Sequence, residues 1–161
     1  SGRTDTLLLV SPFTRGGLDW GYVGEIKTVN PAVLLDTLAA GRVPVISPIS
    51  ADESGASYNV NADSAAAALA AAAGCTDLVF ITDVPGVLVN DEIRPILSVN
   101  QAQSLIADGI IKGGMVAKME SAFKALQENV PRVHIIQWQG TETLTGLINE
   151  NFIYGTVIRP N

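Results

Sequence analysis

Short apolar runs alternate with helix-start signals along nearly the whole chain, and this alternation restricts the fold more than any other feature. Residues 6–11 (TLLLVS), 43–47 (VPVIS), 77–82 (DLVFIT), 132–137 (RVHIIQ) and 155–158 (GTVI) are too short for buried helices and rich in β-branched side chains, so they read as strands. Between them lie helices with recognisable ends. Asn30-Pro31 opens one, with Leu34, Leu35 and Leu38 as its stripe and Gly41 as its stop. Asn61 or its neighbour caps an alanine-rich helix over 62–73, closed by Gly74. Ser98 or Asn100 caps a third through Ala107, ended by Gly109. Residues 115–128 form a longer amphipathic helix with Met115, Met119, Ala122, Phe123 and Leu126 inward, and 142–149 form another. The glycine-rich stretch 13–29 is a hairpin or irregular arm, and 87–96 a small hairpin turning at Asn90-Asp91. The pattern implies an α/β fold, a three-layer α/β/α sandwich with a largely parallel central sheet.

A chain of 161 residues fits one ordinary domain, taken as 1–161. Its 10 basic and 16 acidic residues leave a net charge of −6, which disfavours nucleic-acid backbones and anionic lipid but not a small phosphorylated ligand at a locally positive site. No apolar run reaches the roughly 18 residues of a membrane span. Residues 1–5 show no secretory pattern, and the single cysteine, Cys75, cannot form an internal disulfide. A cytoplasmic protein is expected, with Cys75 a buried structural thiol.

Common catalytic signatures are absent: there is no P-loop and no GxGxxG after a strand. His134, the only histidine, falls inside a strand as a core or edge residue, which excludes a histidine triad or histidine metal site. Three constellations remain. In Tyr58-Asn59-Val60-Asn61-Ala62-Asp63 the polar residues alternate, so on an extended backbone they share a side; capping and ligand binding both fit. Thr82-Asp83-Val84-Pro85-Gly86 follows a buried strand, where open α/β sheets bind ligands, although a plain Pro-Gly turn fits as well. In Lys112-Gly113-Gly114-Met115-Val116-Ala117-Lys118 a Gly-Gly turn feeds a helix N-terminus. A lysine one turn inside opposes the helix dipole, so Lys118 is either solvated or placed for an anionic ligand, while Lys112 is a solvated loop residue. Together these parts suit phosphate chemistry without a P-loop.

With these motifs the sequence resembles the amino-acid kinase family (carbamate kinase-like fold), and within it the acetylglutamate kinases. The matching stretches are GYVGEIKTVNPAVL (21–34), PVISPI (44–49), YNVNADSAAAALA (58–70), ITDVPGVL (81–88) and LIADGIIKGGMVAKMESAFKAL (105–126), with HII (134–136) and GTVI (155–158) also similar. The resemblance implies that Asp63 organises lysines around a transferring phosphoryl group and that Lys118 neutralises nucleotide phosphates. It implies that Asn59 and Asn61 line the acceptor site, and that Thr82, Asp83, Gly86, Gly114 and Met115 bind nucleotide with Lys118. The implied reaction moves the γ-phosphoryl group of ATP, with Mg2+ bridging the phosphates, to the side-chain carboxylate of N-acetyl-L-glutamate, as in arginine synthesis. Lysine and glycine-rich phosphate loops that open family members, and a substrate-binding arginine, have no counterpart, and residues 1–5 resemble the interior of a mid-chain GxSGxD motif. The expected chain is therefore the C-terminal, nucleotide-binding half, inactive or weak alone, from an enzyme that is a possible homo-oligomer at full length. Alternatives are a non-catalytic nucleotide-binding or regulatory module, or a kinase for aminoadipate or aspartate. Trp138-Gln139-Gly140-Thr141 departs from the basic loop commoner in the family.

Overall fold

A strand must satisfy its backbone N–H and C=O groups on a neighbour, and the chain does so in separate sheets within two compact units, Ser1–Ala73 and Gly74–Asn161. The structure, a computed structural model, describes residues 6–16, 18–148 and 155–161. The readings made for residues 1–5 and for Asn149 lie outside them.

In Ser1–Ala73, β1 (Leu8–Arg15), β2 (Leu18–Val29), β3 (Ile49–Ala51) and β4 (Ser57–Asn59) close a barrel in the order β1-β2-β4-β3. β1 pairs antiparallel with β2 from Leu8 opposite Val29 to Arg15 opposite Leu18. The first strand was expected over residues 6–11; instead it runs on past Pro12 to Arg15, because the ladder shifts register between Pro12 and Thr14, and a bulge tolerates a residue without an N–H. The aperiodic stretch after it is thus the rest of a long hairpin. Leu8, Val10 and Val60 bury against Ala65 and Leu69 of α2 (Ala62–Ala72), the alanine-rich helix capped by Asn61 as expected. Its alanines let Ala65, Ala67, Ala68 and Ala70 all reach buried positions.

Two expectations fail in this unit. Residues 43–47 were read as a buried strand, yet they form none: Val43 and Val45 are exposed, and among the described residues no strand pairs with them. In α1 (Ala32–Ala39) only Leu34 is buried, so Leu35 and Leu38 belong to no packed stripe. Pro31 takes the cap position, while the Asn30 Oδ1 accepts from the Ala32 N–H at 3.1 Å.

In Gly74–Asn161 a four-stranded sheet has the order β5-β9-β10-β8, from β5 (Asp77–Thr82), β8 (Ile96–Ser98), β9 (Arg132–Gln137) and β10 (Thr156–Arg159). β5 runs parallel to β9 and β8 parallel to β10, with β9 and β10 antiparallel, so the largely parallel reading holds for this sheet. β6 (Leu88–Val89) and β7 (Glu92–Ile93) make the small hairpin. Asn90 and Asp91 turn it at φ 54° and 63°, as a type I′ turn requires. α3 (Val99–Ala107) starts at Ser98 in a reciprocal capping box with Gln101. α4 (Gly114–Gln127) buries Met119, Ala122, Phe123, Ala125 and Leu126, packs on β9, and leaves Met115 half-buried. α5 (Glu142–Ile148) follows β9. Cys75 is half-buried rather than fully buried.

At the amino end of β5 and β9, Asp77 faces Arg132 across the ladder and accepts its Nε and a terminal guanidinium N–H at 2.7 and 2.9 Å. The His134 Nε2 lies 2.8 Å from the same carboxylate. Hydrogen bonding from Arg132, outweighing burial and helped by His134, holds the Asp77 carboxyl well below the ordinary carboxylate range. A depressed carboxyl contributes stability that is whole above its unfolded pKa and is lost as pH falls below it. Asp77→Asn is expected to cost about 1–2 kcal/mol near pH 7, discounted for partial exposure. In denaturant titrations from pH 6 to 2, the gap between wild type and variant should stay constant above about pH 4 and shrink below it.

Candidate functional site

The expected site residues fall into two sets, one in each unit. In Ser1–Ala73, β4 leads directly into α2. Val60 is buried in the barrel core, and its N–H donates to the Pro48 carbonyl at 2.8 Å. That anchor leaves Asn59 and Asn61 on either side of it, both exposed. The Asn61 Oδ1 accepts from the Ser64 N–H at 2.9 Å and from the Ser64 Oγ at 3.2 Å, so this oxygen is the helix cap. Among the described residues, the bonds to Asn61 are to this oxygen and not to its amide N–H donors. Asp63 does not continue the extended alternation with Asn59 and Asn61. The backbone is already helical there, and Asp63 sits half-buried in the first turn of α2, where a negative charge complements the helix dipole.

In Gly74–Asn161 the loop after β5 is pinned to its neighbours. Thr82 lies opposite Gln137 at the last rung of the ladder, and the Gln137 Nε2 donates to the Asp83 carbonyl at 2.9 Å. The Thr82 hydroxyl donates to the Asp83 carboxylate at 3.1 Å. Gly86, at φ 154°, passes so close to β10 that a Cβ on it would meet the Thr156 Oγ1 at 2.9 Å and the Gly155 backbone at 3.1 Å. That same Oγ1 is buried and accepts from the Val87 N–H at 2.8 Å. Gly155 approaches Ile135 and Pro85 from the other side, at φ 80°, leaving no room for a side chain.

α4 begins without any side-chain cap. Gly113 precedes it at φ 61° and ψ −140°, a conformation open in practice only to glycine, which turns the chain sharply into the helix. Lys118 is half-buried, its Nζ lying 4.9 Å from the centre of the buried Phe80 ring of β5. This cation–π contact steadies the side chain without neutralising its charge. The strand thus brings the Lys118 stem and the Thr82-Asp83 turn to one structural element, two residues apart on β5. Residues near the site that the sequence did not single out are Phe80, Gln137, Gly155 and Thr156. Only Gly155, just before β10, carried any signal, since a glycine there marks a close backbone approach.

His134 lies at the opposite end of β5 and β9 from this loop, bound to Asp77, with its Nδ1 buried and unpartnered among the described residues. It is structural, as its place in a strand suggested. No group of three His, Cys, Asp or Glu side chains able to hold a metal ion occurs among the described residues.

The sequence matches the amino acid kinase family over residues 4–137, most of its length. The chain belongs to the amino acid kinase family. Among curated members it is 38% identical over 159 residues to the acetylglutamate kinase of Pseudothermotoga lettingae, covering 99% of this chain and 57% of that protein. It is 41% identical, over 99% of its length, to the acetylglutamate kinase of Geobacillus stearothermophilus, of which it covers 59%. The chain therefore spans under three-fifths of these relatives. Among solved structures, N-acetylglutamate synthase from Neisseria gonorrhoeae, complexed with coenzyme A and L-arginine, superposes with a TM-score of 0.88 at 26% identity, over 97% of this chain and 37% of that one. Carbamate kinase from Giardia lamblia bound to AMP-PNP shares the fold, with a TM-score of 0.67 at 19% identity over 97% of this chain and 60% of that one.

In this amino acid kinase chain Gly86 is one of the positions without room for a methyl group. Gly86→Ala is expected to displace Thr156 and cost about 1–3 kcal/mol, read as a lowered thermal midpoint, whereas Val84→Ala in the same half-buried turn should cost less.

Proposed function

We propose that this chain is the nucleotide-binding portion of an acetylglutamate kinase, which transfers the γ-phosphoryl group of ATP to the side-chain carboxylate of N-acetyl-L-glutamate to form an acyl phosphate, a step of arginine biosynthesis. The observation that carries the reading is the 38–41% identity to acetylglutamate kinases across 99% of the chain. Because the chain spans under three-fifths of those enzymes, the isolated polypeptide is inactive or weak, and it corresponds to their C-terminal part.

Phosphoryl transfer between two anions is limited by charge and alignment more than by covalent chemistry. The acceptor carboxylate oxygen attacks the γ-phosphorus as the bond to the bridging oxygen of ADP breaks. Lys118, held over Phe80, offsets the negative charge that builds on the phosphates. The uncapped start of α4 and the Gly113-Gly114-Met115 turn present backbone N–H groups to the same phosphates. Thr82, Asp83 and Gly86 form a pinned rim for the nucleotide. Asn59 and the amide of Asn61 donate to the acceptor, and Asp63 orients cationic groups around the moving phosphoryl group. Mg2+ would come bound to the nucleotide and would offset part of the charge on its phosphates, as suits an ion that keeps most of its ligands as water and phosphate oxygen. A biosynthetic enzyme of this kind works in the cytoplasm on small molecules. No helix of the described residues is long and apolar enough to cross a membrane. A homo-oligomer of the full-length enzyme is compatible with the reading.

The alternative outcome is a non-catalytic nucleotide-binding module with the same fold. Calorimetric titration with Mg2+ and a non-hydrolysable ATP analogue tests the first reading. Saturable binding is expected, weakened about 10- to 100-fold in Lys118→Ala, the loss of one charge-assisted contact to phosphate. A folded chain that binds no nucleotide would overturn it. Acyl-phosphate formation once the remainder of a relative is supplied separates the kinase from the module, which would bind without turnover.

A further inference from the structure

The turn Asp83-Val84-Pro85-Gly86 lies between β5 and β6 in no helix or strand, and side chains from two other strands hold its ends. At the front the Gln137 Nε2 donates to the Asp83 carbonyl at 2.9 Å, but this bond is exposed, so water competes for both partners. At the back Val87 is 2% exposed, and its N–H donates to the Thr156 Oγ1 at 2.8 Å in a buried bond. Thr156 has no exposure at all, and the pairing of β10 with β9 sets its place opposite Ile135. The Val87 carbonyl is taken as well, by the Arg94 N–H at 2.9 Å. The residue before Thr156 presses on the same turn: a Cβ on Gly155 would meet the Pro85 carbonyl oxygen at 2.8 Å. Gly155 and Thr156 thus form a seat for residues 85–87, and that seat lies beyond residue 137, where the match to the family ends. Valine would fill the space of Thr156 with no polar atom to satisfy, so what the hydroxyl adds is the bond to the turn.

We propose that Thr156 is a positioning residue for nucleotide binding: its hydroxyl fixes the backbone of Pro85-Gly86-Val87 and so holds the rim from Thr82 to Gly86 in the shape that receives the nucleotide. The inference rests on the nucleotide-binding reading above. Thr156 acts through the turn and does not touch the ligand. A turn already in its bound shape gives up little conformational freedom when the ligand arrives, and that saving appears as affinity. Of the two clamps the buried one dominates. When the exposed bond from Gln137 is removed, water takes its place; when the Thr156 hydroxyl is removed, the Val87 N–H is left buried without an acceptor. The turn then relieves that cost by moving off β10, because β10 itself is held by its ladders to β8 and β9.

The test titrates the full 161-residue chain and three variants with Mg2+ and a non-hydrolysable ATP analogue, and measures amide hydrogen exchange at Val87 without nucleotide. Thr156→Val is expected to bind about 5- to 20-fold more weakly and to exchange faster at Val87. Thr156→Ser, which keeps the hydroxyl, should stay within about threefold of the parent in affinity. Ile158→Val, a buried position on the same strand paired with Val133, lowers stability through packing alone and should leave affinity unchanged. Circular dichroism checks that each variant is folded. Should Thr156→Val not fold, replacing the Val87 peptide group by an ester removes the same donor with every side chain intact, and the same weakening is expected. A folded Thr156→Val or ester chain that binds as the parent does, an equal loss of affinity in Ile158→Val, or no rescue by serine would each overturn the proposal and leave the nucleotide reading standing. A folded parent that binds no nucleotide would overturn both.

Discussion

Six consecutive rungs join β5 to β9, from Asp77 opposite Arg132 to Thr82 opposite Gln137, and the chemistry at each end of Gly74–Asn161 follows from that register. At one end the ladder puts a carboxylate against a guanidinium and an imidazole, closing the sheet with a charge cluster. At the other it puts Gln137 under the Asp83 carbonyl, fixing the turn that leaves the strand. A slip by one residue would exchange inward and outward faces and separate both pairs at once. Phe80, midway along, projects into the core and offers its ring to Lys118, so the same register also positions the cation on the neighbouring helix.

Much of this was legible in the sequence wherever local signals and long-range packing agree. Asn61 and Ser98 announce their helices through side chains that cap them, and Asn90-Asp91 announces its hairpin through a turn that needs positive φ. The strand from Asp77 to Thr82 carries its own evidence in an unbroken apolar run. What escaped was set by partners. Pro12 looks like a stop, but a bulge opposite it is a property of the paired strand. The barrel formed by β1, β2, β4 and β3 could not be read from periodicity, because two of its strands are three residues long. Residues 43–47 show the converse failure: the composition asks for burial, and burial requires a neighbour.

The candidate site divides along the same line. Motif residues such as Asn59, Asn61, Asp83 and Lys118 stand out because polar groups beside glycine and helix starts are conspicuous. The residues that hold them still are ordinary core members, such as Val60 beneath the asparagines and Phe80 beneath the lysine. Pairwise hydrogen bonds across 54 and 69 residues, from Gln137 to Asp83 and from Val87 to Thr156, leave no local trace at all.

Several helical alanines, Ala67 in α2, Ala102 in α3 and Ala122 and Ala125 in α4, have no solvent exposure. Each marks a place where backbone and neighbouring side chains meet at the width of one methyl group. In a saturation library these positions would act as size filters, passing glycine or serine and rejecting larger residues whatever their polarity. Drift in the helices of this protein is thus channelled by volume.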